Sequence, residues 1–124
     1  MKSGFSLYLA GPMTGLPRWN FDAFAEACVK LRAAGWCVWC PAEQDEMLGF
    51  DPDTPPPLPP DFLEDALLRN ALAMTQVHGV AVLGTTDQKS RSKGLAVELA
   101  IARYLDLPVL PANEWLASKQ KGGL

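Results

Sequence analysis

Glu98 draws attention through its surroundings. From Leu95 to Ala102 the chain reads Leu-Ala-Val-Glu-Leu-Ala-Ile-Ala, with one charge among eight residues. By i+3 and i+4 spacing, a helix puts Glu98 on one stripe with Leu95, Leu99, Ala102 and Leu105. A carboxylate on a buried stripe is costly unless paired, hydrogen-bonded or protonated, and such groups gather at reactive sites. The alternative is an edge position from which Glu98 reaches water or Arg103, and spacing leaves both open. Six residues earlier, Ser92-Lys93-Gly94 can present a Ser cap and free N–H groups, which suit an anion. Gly11-Pro12-Met13-Thr14-Gly15 is a second loop of small residues. The helical rise separates Ser92 from Glu98 by ~9 Å. That span suits the distance from a nucleotide's 5′-phosphate to its anomeric carbon.

Such a site needs a scaffold, and the pattern supplies one. Phe5 to Ala10 reads as an apolar strand ending at Gly11. Asn20 is the expected N-cap of a helix from Phe21 to about Ala34, closed by Gly35. Residues 36–40 read as a second strand. Residues 41–60 carry seven of the eleven prolines and read as a long loop, either a cover for a site or a surface insertion. Asp61 is the expected cap of a helix running to about Gln76. Residues 79–84 read as a buried strand, Thr85 to Arg91 as a polar loop, and Ser92 to about Leu105 as a helix. A short strand at 107–110, a helix from Pro111 to Ser118 and a tail at 119–124 complete the single domain, 1–124. Strands apolar enough to be covered on both faces predict a parallel sheet of four to five strands in an α/β three-layer sandwich, Rossmann-like or flavodoxin-like. Ligands then bind beyond the carboxyl ends of the strands, where loops 11–19 and 85–92 should face each other.

Composition narrows the function. With 48% hydrophobic and 20% charged residues, the chain is too apolar for disorder. Its apolar runs fall short of the ~18 residues of a membrane span. A net charge of −3 without a basic run argues against long nucleic acid, whose phosphates need clustered Lys and Arg. The apolar N-terminal run is too short for a signal-peptide core, so a cytoplasmic protein is expected. Three cysteines, Cys28, Cys37 and Cys40, leave any disulfide set incomplete. Cys37 and Cys40 form C-x-x-C within a strand, where a metal or redox role is poorly supplied, so both are expected to be small core residues.

Three stretches together resemble the nucleoside 2-deoxyribosyltransferase-like superfamily, in particular its small, often phage-encoded branch of unassigned function. They are Leu7-Tyr8-Leu9-Ala10-Gly11-Pro12-Met13-Thr14-Gly15-Leu16-Pro17, then Asn20-Phe21, then Ser92-Lys93-Gly94-Leu95-Ala96-Val97-Glu98. The resemblance covers roughly residues 7–110. It implies that Glu98 attacks the anomeric carbon of a 2′-deoxynucleoside or its monophosphate, that a covalent deoxyribosyl-enzyme forms, and that water or a second base resolves it. It further implies that Tyr8 orients the nucleophile, although a strand aromatic with its hydroxyl at the rim is the plainer reading. Ser92, where nucleoside-specific members carry Asp, implies a monophosphate substrate. Gly11, Pro12, Met13, Thr14, Gly15, Asn20 and Gly94 would line its site. Trp19, Phe21 and Trp39 are candidates to stack on the base, or else pack in the core. No metal or cofactor is implied, and a homo-oligomer built on a helix face is.

The chain departs from that pattern at two positions. Asn70 stands where the superfamily usually has an assisting Asp, and His78 stands where a further Asp is common. An Asn can hydrogen-bond the sugar or base but cannot move a proton. A lone His at this helix-to-strand junction is more plainly a cap or surface residue. A shifted register would bring in Asp65 instead, though spacing disfavours it. Two functions follow: glycosidic cleavage or transfer on a deoxynucleoside monophosphate, with Glu98, Tyr8 and Asn70 at its centre, or nucleotide binding without turnover. A protein-interaction domain with no small ligand is the third and weakest reading.

Overall fold

In a computed structural model, which describes residues 4–55, 57–84 and 92–118, the apolar runs form one parallel four-stranded sheet. The strands are β1 (Ser6–Ala10), β2 (Cys37–Trp39), β3 (Gly79–Val82) and β4 (Val109–Pro111), in the order β2-β1-β3-β4. Leu7 pairs with Gly79 and Ala10 with Val82, while Ser6 to Tyr8 pair with Cys37 to Trp39. The order reverses at β1 and β3, so their carboxyl ends make the switch point at which such sheets bind ligands. This is the α/β arrangement that the pattern predicts.

Alternating side chains divide the core between the two faces. Leu7, Leu9 and Ala81 pack under α1 (Phe21–Ala33) and α5 (Ala112–Ser118), joined by Phe24, Leu31, Trp36 and Trp115. Tyr8, Ala10, Val80 and Val82 pack under α3 (Phe62–Met74) and α4 (Lys93–Tyr104). Each fully buried Leu or Val contributes roughly 1.5–3 kcal/mol, so both faces hold the sheet. On the second face a phenol takes a position that an aliphatic side chain would fill more simply. That residue is Tyr8, with no exposed surface.

Several elements differ from the sequence reading. Residues 41–60 are not all loop, because Pro41–Met47 form a helix, α2. Pro41 occupies its first turn, where a missing N–H costs nothing, and the run to Met47 contains good helix formers. The remaining prolines of the segment all follow α2. The second, third and fourth strands are also offset or shorter than read, at 37–39, 79–82 and 109–111. Asn20 and Asp61 do not cap through their side chains; both are left-handed, with φ of 63° and 64°. Of the C-x-x-C pair, Cys40 is buried but Cys37 is exposed, because successive i and i+3 strand positions face opposite ways. The Cys40 thiol contacts that of Cys28, and burial pushes it up to about 11, which suits core packing. The expected tail at 119–124 and the polar loop at 85–91 lie outside the described residues.

β2 lies at an edge of the sheet, and an arginine blunts it. Arg32 Nη2 donates to the Val38 carbonyl at 2.9 Å while the guanidinium forks onto Glu43 at 2.8 and 3.0 Å. An occupied edge carbonyl is no longer a template for another strand.

Candidate active site

Tyr8 and Glu98 meet over the sheet. Tyr8 comes from β1, and Glu98 from the second turn of α4, which begins after β3. The Tyr8 hydroxyl donates to Glu98 Oε2. Glu98 Oε1 is buried and has no hydrogen-bond partner among the described residues. The residue as a whole is half-buried, so the enclosed part is the carboxylate itself. The alternative in which Glu98 reaches water or Arg103 is therefore not the one adopted.

The electrostatics follow from that enclosure. Burial pushes the Glu98 carboxyl up to about 7, against the pull of the Tyr8 hydroxyl and the Gly11 amide. Tyr8 is held well above the usual phenol range, first by burial and then by the Glu98 charge, and more weakly by Asp45. The phenol is therefore a permanent donor. A carboxylate of this kind, ionised in part near neutrality and with one oxygen unpartnered among the described residues, has the makings of a nucleophile or a general base.

The loop after β1 is shaped for close approach. A Cβ on Gly11 would lie 2.9 Å from the Leu83 side chain, where β1 and β3 are tied by the Leu83 N–H to Ala10 carbonyl bond at 2.8 Å. Asn20 Nδ2 donates to the Pro12 carbonyl at 2.9 Å, which closes the loop on itself. The Leu16 N–H bonds Met13, and Gly15 has φ of 85°. Thr14 and Gly15 are exposed. Arg18, Trp19 and Asn20 are three successive left-handed non-glycine residues, at φ of 48°, 54° and 63°. Such backbone costs roughly 1–2 kcal/mol per residue and persists only where contacts over-determine it. Here Arg18 pairs with Asp53 and Trp19 packs edge-on against Phe50 at 6.1 Å.

Ser92 caps α4, its Oγ accepting the Leu95 N–H at 3.1 Å. Ser92 and Gly94 thus stand at a helix N-terminus, on the same end of the sheet as the loop from Gly11 to Gly15. Of the aromatic candidates, Phe21 is core, and Trp19 packs on Phe50. Trp39 stacks on Tyr8, ring centroids 5.5 Å apart and 12° from parallel. Asn70 is half-buried on α3, with no hydrogen bond to Tyr8 or Glu98 among the described residues. Asp65 is exposed in the first turn of α3. His78 sits at the opposite end of the sheet, its Nδ1 accepting the Ser6 N–H at 3.0 Å. It fastens β1 to the start of β3 and takes no part in the Glu98 site.

Sequence reasoning missed a second carboxylate. Asp45, on α2, is buried and receives Arg69 Nη2 of α3 at 2.8 Å. Burial raises its carboxyl even so, outweighing the guanidinium. Arg69 Nε is buried without a partner among the described residues. Arg69 and Trp39 line a groove of about 570 Å³ between β2 and α3, which runs back to Ser6, Cys37, Gln76 and Val77 toward the amino ends of the strands and has neither Tyr8 nor Glu98 in its lining. A helix-forming run after Pro41 was the available signal; the 24-residue separation of the pair hid the rest.

With this geometry in view, residues 5–111 match a family described as a domain of unknown function, DUF4406. The chain belongs to the DUF4406 family. The match takes in all four strands, α1 to α4, Tyr8, Asp45, Arg69 and Glu98. No curated protein matches this DUF4406 chain.

Proposed function

We propose that this DUF4406 protein cleaves or transfers the N-glycosidic bond of a 2′-deoxynucleoside 5′-monophosphate, with Glu98 as nucleophile. The observation that supports the reading is the Glu98 carboxylate, one oxygen held by Tyr8 and the other buried and unpartnered among the described residues, at the switch point of the sheet. The free oxygen attacks the anomeric carbon, the C–N bond breaks, and its electron pair leaves with the base, which takes a proton. Water or a second base then attacks the same carbon and releases Glu98. The capped start of α4, with Ser92 and Gly94, and the loop from Gly11 to Gly15 hold the 5′-phosphate through hydroxyl and backbone N–H groups. A carboxylate nucleophile requires no metal for this chemistry.

The protein acts in the cytoplasm as a homo-oligomer in this reading. Three free cysteines fit a reducing compartment. No described helix is long and apolar enough to cross a membrane. Leu63, Leu67, Leu68 and Leu72 of α3 are 45–70% exposed, an apolar face that fits contact with a second copy. The second reading, nucleotide binding without turnover, draws on Asn70, which cannot supply a proton. Incubation with each deoxynucleoside monophosphate, followed by chromatography of free base, tests the proposal. Base release by the wild type and a loss of at least about 1,000-fold in Glu98→Ala, with nucleotide binding retained, is expected. Base release unchanged by that substitution removes Glu98 from the role. Tight binding with no release over hours selects the second reading.

A further inference from the structure

Arg69 is an unusual residue to find in an apolar groove. Its Nη2 is held by Asp45 at 2.8 Å, which fixes the guanidinium plane, while its Nε–H is buried and unanswered among the described residues. An arginine only donates, so the missing partner is an acceptor. The groove walls are otherwise mainly apolar, with Val38, Leu72, Ala73 and Val77. Trp39 also lines it, with the indole stacked on the phenol that holds Glu98. A flat, apolar-faced molecule with an acceptor on its edge fits these walls. Strand addition does not, because Arg32 already occupies the Val38 carbonyl at the β2 edge.

We infer that the groove between β2 and α3 receives the leaving nucleobase, and that Arg69, aimed by Asp45, selects bases carrying a keto oxygen. This rests on the glycosidic reading of Glu98 and extends it to the leaving group. When the C–N bond breaks, its electron pair passes into the base and delocalises onto the keto oxygen. A guanidinium N–H donated to that oxygen stabilises the departing anion without giving up a proton, and water protonates the base afterwards. Arg69 thereby takes over the leaving-group assistance that Asn70 cannot give. An amino group at the same position of the base would set donor against donor.

Free hypoxanthine and adenine share a purine frame and differ there, keto against amino. Their binding to the whole protein is read by tryptophan fluorescence and calorimetry. The wild type is expected to prefer hypoxanthine by about tenfold. Trp39→Phe is expected to remove the fluorescence change. Arg69→Lys keeps a charge beside Asp45 but has no Nε–H, and should bring the two affinities within about twofold. Asp45→Asn/Arg69→Met, neutral at both positions, guards against misfolding from an unpaired charge and should show the same loss. Equal affinities in the wild type, or a preference unchanged in both variants, overturns the inference. A preference that vanishes with Arg69, while no deoxynucleotide releases base, upholds the groove as a base site and overturns the glycosidic reading of Glu98.

Discussion

Glu98 and Asp45 are both carboxylates drawn out of water near the carboxyl ends of the strands, and the fold treats them differently. Asp45 is given a cation, Arg69, and the pair ties α2 to α3. Glu98 is given a phenol and an amide, neither of which balances its charge, and one buried oxygen has no hydrogen-bond partner among the described residues. Burial raises both, but for Glu98 it carries the carboxyl to about 7. A paired carboxylate organises structure, whereas an unpaired one is kept at a cost to stability, as reactive groups commonly are. The contrast separates scaffold from chemistry within one small domain.

The largest stability effect should come from breaking the paired side. Asp45→Ala leaves a largely buried guanidinium unbalanced and is expected to lower the unfolding free energy by about 3 kcal/mol in urea titrations. Asp45→Asn/Arg69→Met should recover most of that loss.

The unpaired side should respond with the opposite sign. The folded-state pKa of Glu98 lies above its ordinary 4.5, so its protonated form favours folding below that value. That contribution is lost as pH rises toward about 7. Glu98→Gln is therefore expected to be the more stable protein at pH 8, by up to about 3 kcal/mol. The two proteins should converge below about pH 4.5, which thermal melts across pH will report.

Two smaller changes sharpen the contrast. Tyr8→Phe removes a hydroxyl that pulls the Glu98 carboxyl down, so that carboxyl should rise further. Since the ionised form attacks, the acid limb of the pH–rate profile should move to higher pH and the rate at pH 7 should fall about tenfold. Ser92→Ala removes the α4 cap, for which a loss of about 1 kcal/mol is expected by denaturation. It should also weaken binding of a monophosphate more than that of the matching nucleoside, a difference that calorimetry measures.

Much of this architecture was legible along the chain. Helical spacing identified the stripe bearing Glu98, and Gly11, Gly35 and Ser92 marked ends that the structure keeps. Local rules failed where long-range contacts prevailed. Asn20 has the residue type of an N-cap, yet its amide closes the loop onto Pro12 and its backbone turns left-handed. The proline count of 41–60 concealed α2, since a proline at a helix start is harmless and only those after Met47 break the chain. His78, which stands where the resemblance has a further Asp, bonds Ser6 at the far end of the sheet, as its plainer reading as a cap or surface residue allows.

Composition and periodicity determined the layered sheet, the faces of its helices and the unusual position of Glu98. Those depend on neighbours a few residues apart, whose geometry is repeated in every helix and strand. Only the tertiary structure decided that Tyr8 answers Glu98 across 90 residues, that Asp45 finds Arg69, and that Trp39 joins the two regions. Partners so distant in sequence are chosen by strand order and packing, which no local spacing encodes.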